Sequence, residues 1–150
     1  AEEEKLLKLL EEFPPEKGDN AVVWRPLAAG TQSGRPWMMD LLATRSGETG
    51  CAGYARTWVY SDKAQPARVE FGTDDGHKLW VNGERVAQAD RGGAAVPGEF
   101  KTTVSLRQGW NALLLKIVQD TGPWEFCLRI RTPGGEKLEG LRVRATPPES

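Results

Sequence analysis

The sequence predicts an all-β fold, an antiparallel β-sandwich with a short N-terminal helix in front of it. From residue 21 onward, apolar and polar residues alternate in short runs such as 54–60 and 126–130, a period typical of half-buried strands. Turn-forming residues separate about eight or nine such runs at regular spacing, which is typical of a sandwich or jelly roll, with a β-barrel as the competing geometry. No helical pattern lies between these runs, which argues against a parallel α/β fold.

The helix is predicted from the first residues. Leucines recur at helical spacing over 6–13, and Pro14 ends the pattern because the residue before a proline disfavours helical geometry. We therefore divide the chain into a helix and linker (1–20), a sandwich (21–145) and a tail (146–150).

The predicted strands follow from period-two alternation and from apolar runs bounded by turns. The segment 112–118 is apolar enough to be buried on both faces, and 37–42 is either a strand or a helical turn. Asn82–Gly83 is the strongest hairpin signal in the chain. The other predicted strands are 21–24, 54–60, 67–71, 77–81, 85–88, 100–106, 126–130 and a weak last one at 138–143.

Composition excludes several functions. The chain has 150 residues, with 20 Lys and Arg against 21 Asp and Glu, so its net charge of -1 argues against a basic nucleic-acid binder. No stretch approaches the ~20 apolar residues that span a membrane. With His77 as the only histidine, a His-rich zinc site cannot be built and a Ser-His-Asp triad would need that residue. We expect a protein that is not an enzyme.

Two motifs resemble known β-domains. Residues 72–83, GTDDGHKLWVNG, resemble the hairpin of protective-antigen-like domains, and residues 104–117, VSLRQGWNALLLKI, are similar to a strand pair of galactose-binding-like jelly rolls. The resemblance covers about residues 50–131. It implies a non-catalytic jelly-roll accessory domain of a glycoside hydrolase or cell-surface protein, extracellular or periplasmic, that binds sugar and in some members calcium.

Asp74 and Asp75 are the sharpest candidate site. In sugar-binding relatives that the sequence resembles, an Asp pair joined by a cis peptide holds a calcium ion that contacts sugar hydroxyls. Calcium takes about six to eight oxygen ligands, so Gln119, Asp120 or Asp90 would have to complete the shell. The alternative is a turn in which an Asp side chain bonds its own backbone and caps the hairpin.

Half of the aromatic residues are tryptophan, 6 beside 2 Tyr and 4 Phe, and an exposed indole stacks on the C–H face of a sugar. Trp80 and Trp110 belong to the fold motifs and are expected to pack, whereas Arg91 lies in a Gly-rich loop where it can pair with an acidic sugar. The near-neutral charge favours a neutral glycan. The candidate ligand-binding residues are Trp37, Trp58, Tyr60, Asp74, Asp75, Arg91, Gln119 and Trp124, and the candidate metal ligands are Asp74, Asp75 and Asp120.

Cys51 and Cys127 are expected to approach each other if the strand 51–61 pairs with the strand 124–130. They would then form a disulfide in an exported domain; the alternative is two buried thiols, which pack as small hydrophobic groups.

The expected function is recognition of a polysaccharide or glycan, within a parent protein whose other domains are further partners. The alternative is a spacer or protein-interaction sandwich of a multidomain extracellular enzyme. Burial of all six tryptophans would favour the spacer.

Overall fold

The computed structural model describes residues 24, 38–41, 51–90, 94–119 and 124–148. The predicted N-terminal helix and three candidate site residues, Trp37, Arg91 and Asp120, lie outside these ranges, as does most of the predicted strand 21–24.

The described residues are all-β, as predicted, and contain no helix. Within them there is accordingly no helix that could cross a membrane. The strand predicted at 138–143 is shorter and begins later, because Gly140 adopts a positive φ of 79° in the turn before it. The strands are β1 (Met39–Asp40), β2 (Cys51–Ser61), β3 (Gln65–Asp74), β4 (His77–Val81), β5 (Glu84–Ala89), β6 (Phe100–Leu106), β7 (Gly109–Gln119), β8 (Glu125–Arg131) and β9 (Arg142–Arg144).

The strands form two antiparallel sheets. One has the order β1-β8-β3-β6 and the other the order β5-β4-β7-β2-β9. Sequence neighbours β3 and β4 lie in different sheets, so the chain crosses from one sheet to the other at residues 75–76.

The hydrophobic core is shared by both sheets. Val69 and Phe71 of β3 belong to the same buried cluster as Leu79 of β4 and Leu115 and Ile117 of β7. Each such side chain contributes about 1.5–3 kcal/mol when it is fully removed from water. Alternate residues therefore point into the core, and the residues between them form the outer face of each sheet.

Two asparagines fix the turns that the sequence motifs predicted. Asn82 and Gly83 have φ values of 50° and 81°, the left-handed pair that a type I′ hairpin requires. Asn111 is fully buried, and its amide donates to the carbonyls of Val59, Arg107 and Gly109 while its oxygen accepts from the Arg107 amide. These motif residues are structural.

The predicted pairing of the two cysteine-bearing strands is wrong. β2 pairs with β7 and β9, whereas β8 pairs with β1 and β3 in the other sheet. The long apolar strand β7 matches β2 along its whole length and so occupies the place expected for β8. Cys127 is buried and is not part of a disulfide.

Candidate functional site

Acidic side chains meet at the end of the molecule where β3 crosses to β4. Asp74 ends β3 and lies opposite Glu125 in the β3–β8 ladder. The next residue is held against the other sheet, because the Asp75 amide donates to the Val118 carbonyl over 2.6 Å. The peptide bond between Asp74 and Asp75 is cis. Register and crossover therefore bring three carboxylates to one edge, which we call the carboxylate end (Asp74, Asp75 and Glu125).

The electrostatics of the carboxylate end are unfavourable for a bare anion. Asp74 is 5% exposed and Asp75 is 8% exposed. The pKa of Asp74 is raised to about 7, first by burial, then by a hydrogen bond with the Asp75 carboxyl and by the negative charges of Asp75 and Glu125. This carboxyl therefore keeps its proton to a much higher pH than an exposed aspartate does.

The single histidine supports the crossover from inside. The Thr73 hydroxyl donates to the Asp75 carbonyl over 3.0 Å and lies 2.9 Å from Nδ1 of His77. Since that hydroxyl has one proton to donate, Nδ1 of His77 must carry the hydrogen between them. The His77 ring is buried, with its edge or face against Phe71 and Phe100 at centroid distances of 4.7 and 4.5 Å. His77 is therefore a packing residue that positions the turn.

Trp124, predicted as a ligand contact, is instead a core residue. Its side chain is 2% exposed, and its indole N–H donates to the Ile117 carbonyl over 3.3 Å. Gly53 makes the space, because a Cβ there would lie 2.6 Å from Cζ2 of the indole. A ring enclosed in this way cannot stack on a ligand, so this prediction is wrong.

The oxygen donors predicted for calcium are only partly assembled within the described residues. Gln119 is fully buried at the end of β7, and Asp90 passes close to the crossover, with its Cα 3.4 Å from where a Cβ of Gly76 would stand. In the described part of the chain, no group of three His, Cys, Asp or Glu residues is arranged to hold a metal ion. The carboxylates Asp74 and Asp75 are nevertheless the hard oxygen donors that calcium takes.

Aromatic and arginine side chains share the outer face of the five-stranded sheet. Trp58 and Tyr60, both predicted as ligand contacts, are half-buried there on β2, and Trp110 lies beside Tyr60 on β7. Arg142 and Arg144 on β9 lie opposite Tyr60 and Trp58 in the register and are exposed. We call these five residues the aromatic–arginine face. The sequence grouping of Trp58 with Tyr60 on one strand face predicted two of these five residues.

The rings hold the guanidinium groups by direct contact. The Arg142 guanidinium carbon lies 4.2 Å from the Tyr60 ring centroid, and that of Arg144 lies 5.9 Å from the Trp110 centroid. Tyr60 and Trp110 pack edge to face, with centroids 5.3 Å apart. Such cation–π contacts occur roughly once in 70–80 residues, so two that are made by arginines of the same short strand, β9, form a local concentration of stacked cations.

Comparisons with known proteins do not show a family for this chain. No family model matches the chain, and no curated protein matches it. Among solved structures, it is similar to the PA14 domain of the antifreeze protein MpAFP, with 20% identity over 60% of this chain and a TM-score of 0.47. The match covers 50% of that solved chain, so this chain corresponds to about half of its length.

Proposed function

We propose that this protein is a non-catalytic carbohydrate-binding module with a jelly-roll sandwich, and that it binds a polysaccharide or glycan at the carboxylate end. The observation that carries the proposal is that Asp74 and Asp75 are adjacent and buried, with Asp74 opposite Glu125. A buried like-charge cluster is costly unless a proton, a cation or hydrogen-bond donors compensate it. Sugar hydroxyls are such donors.

Calcium is the proposed cofactor of this end. Asp74 and Asp75 would hold the ion, and the Gln119 side chain stands at the adjacent strand end as a further oxygen donor. Because both carboxylates expose little surface, a small ion reaches them more easily than a sugar ring does. When bound, calcium supplies a contact for the sugar hydroxyls. It also replaces the proton that Asp74 retains near neutral pH.

The exposure of the tryptophans favours this function over a spacer domain. Trp24, Trp58, Trp80 and Trp110 are all half-buried, so the condition that would favour the spacer is not met. Trp58 and Tyr60 are retained as candidate ligand contacts. We place the module outside the cytoplasm, in the periplasm or beyond the cell, as part of a larger carbohydrate-active protein.

The test is thermal unfolding and glycan binding with and without calcium, on the wild type and on the D74N/D75N double variant. We expect calcium at about 100 times its dissociation constant to stabilise the wild type by about 2.7 kcal/mol, and the double variant to lose that effect. The matched control is D62N, because Asp62 is exposed in the β2–β3 turn, and it should respond like the wild type.

Glycan binding is then measured by affinity gels and on a glycan array, in calcium and in chelator. Retention of the wild type on a polysaccharide, lost in D74N/D75N but not in D62N, supports the proposal. If the wild type binds no glycan under either condition, the proposed function is wrong.

A further inference from the structure

Within the described residues, the arginines of the aromatic–arginine face contact rings and a hydroxyl group, not carboxylates. Arg142 forms no ion pair within the described residues, and its guanidinium group lies over the Tyr60 ring. Arg144 donates from Nε and Nη2 to the Thr146 hydroxyl, a neutral partner, at 3.3 and 3.2 Å. Both guanidinium groups are therefore exposed positive charges that no carboxylate of the described residues holds in place.

Within the described strands, register places no acidic side chain at the outward positions of this face. Among the described strands, the outward positions that flank it carry only aromatic, aliphatic or basic residues. They are Tyr54, Arg56, Trp58 and Tyr60 on β2, Trp110, Ala112, Leu114 and Lys116 on β7, Arg142 and Arg144 on β9, and Lys78 and Trp80 on β4. Lys78 and Lys116 are buried, so the exposed cations at these positions are Arg142 and Arg144, on a protein whose net charge is -1.

Stacking prepares these arginines for oxyanions. A guanidinium that lies over an aromatic ring keeps its N–H edge free, and that edge matches a carboxylate or sulfate in two parallel hydrogen bonds. The ring contact also restricts a long side chain before any ligand arrives, which lowers the entropy cost of binding. Arg142 and Arg144 are two residues apart on one strand, so their anchoring points are separated by about 6–7 Å.

We propose that the aromatic–arginine face is a second binding surface, which takes an anionic polysaccharide through sulfate or carboxylate groups on Arg142 and Arg144. The polymer class rests on the proposed carbohydrate function, whereas the charge and the position come from this face alone. This replaces the neutral glycan that the overall composition favours, because the local charge of the face, and not the net charge, is what a ligand meets.

Single-stranded nucleic acid is the competing polyanion, and the geometry disfavours it. Successive bases stack on open, parallel aromatic faces. Here Tyr60 and Trp110 are inclined at 70° to each other, and a guanidinium group covers one face of the Tyr60 ring. The face thus offers cations rather than a stacking platform.

The experiment compares dextran sulfate with uncharged dextran of the same length, in affinity electrophoresis and calorimetry at about 50 and 200 mM salt. We expect the wild type to bind dextran sulfate and not dextran, with affinity falling as salt rises. The R142A/R144A variant should bind roughly 10–100-fold more weakly, the loss typical of charged hydrogen bonds. R142K/R144K, which keeps charge but loses the planar fork, should recover only part of it.

The matched control is R131A, because Arg131 lies on β8 in the opposite sheet, and it should bind like the wild type. Circular dichroism and the unfolding midpoint verify that every variant is folded. D74N/D75N should still bind dextran sulfate. The experiment can therefore refute the proposal for the carboxylate end and the proposal for the aromatic–arginine face independently of each other.

Equal losses in R131A and R142A/R144A would overturn the proposal, as would a wild type that dextran sulfate does not retard. Tighter binding of an oligothymidylate than of dextran sulfate at equal charge concentration would also overturn it, in favour of nucleic acid.

Discussion

Two buried acids on one strand, Glu70 and Asp74, have opposite chemistry. Both lie on β3, four residues apart, and they are 2% and 5% exposed. Burial raises the pKa of Glu70, but hydrogen bonds and charges from Arg129 and Arg68 outweigh it and hold that pKa below its ordinary value. At Asp74, burial and negative neighbours act together and raise the pKa to about 7.

The difference comes from one ladder. Across β3 and β8, Glu70 lies opposite Arg129, and four residues further on Asp74 lies opposite Glu125. Glu70 accepts hydrogen bonds of 2.7 Å from Nε of both Arg68 and Arg129, one on each carboxylate oxygen. At equal depth, the carboxylate in the middle of the sheet is held by two arginines, whereas the carboxyl at its end faces another acid. That end is where we propose that the ligand binds.

The largest expected effect breaks the completed cluster. Glu70→Gln removes the charge shared by two arginines, and loss of one partner in a buried ion pair costs about 3–5 kcal/mol. Because Arg68 and Arg129 are 25% and 53% exposed and can regain water, we expect a smaller loss. Urea unfolding at pH 7 should show that the free energy of unfolding falls by about 2–3 kcal/mol. Glu84→Gln, at an exposed position, should change stability by less than about 0.5 kcal/mol.

The next prediction is a pH dependence of opposite sign for Asp74. Its pKa is higher in the folded state than the ordinary Asp value of 3.8, so the folded state binds the extra proton. Stability from this group is therefore present at low pH and is lost as pH rises from about 4 to about 7, at up to about 1.4 kcal/mol per pH unit.

Asp74→Asn should flatten that slope, because an amide resembles the protonated acid and does not titrate. Denaturant unfolding curves of the two proteins between pH 4 and 8, without calcium, give the comparison. Parallel stability curves would show that Asp74 is ionised throughout, and the contrast with Glu70 would then fail.

The smallest effect on stability is expected where cations contact rings instead of carboxylates. Arg142→Ala removes one exposed cation–π contact with Tyr60, worth about 0.5–1 kcal/mol. Arg129→Ala, which strips Glu70 of a partner, should cost more in the same urea experiment. If Arg142→Ala is more destabilising than Arg129→Ala, the aromatic–arginine face is a structural cluster and its arginines are not available to bind a ligand.

Local sequence patterns predicted where the strands lie, but not which strands pair with each other. Alternation located β2, β3 and β8, and Asn82–Gly83 located the β4–β5 hairpin, because these signals depend on neighbours in sequence. Pairing was beyond reach, since many strands of similar polarity can exchange places in a sandwich. The error over the cysteines is of this kind.

Each of the two candidate sites was predicted only in part. Two adjacent aspartates before a hairpin are visible in the sequence, but Glu125 joins them through a register that no spacing encodes. Arg142 and Arg144 were missed because they lie in a weak three-residue strand, and only its pairing with β2 places them beside Trp58 and Tyr60. The alternating Arg142-Val143-Arg144 next to a turn is the sequence signal that could have identified them.

Gly53 has a consequence for the acids that it does not touch. It accommodates the Trp124 indole, and Trp124 is joined directly to Glu125, the residue facing Asp74. Any side chain at position 53 would push on the indole and, through one peptide unit, on the spacing between two like charges. The missing side chain at Gly53 on β2 thus helps to set the pKa of Asp74 on β3, in the other sheet.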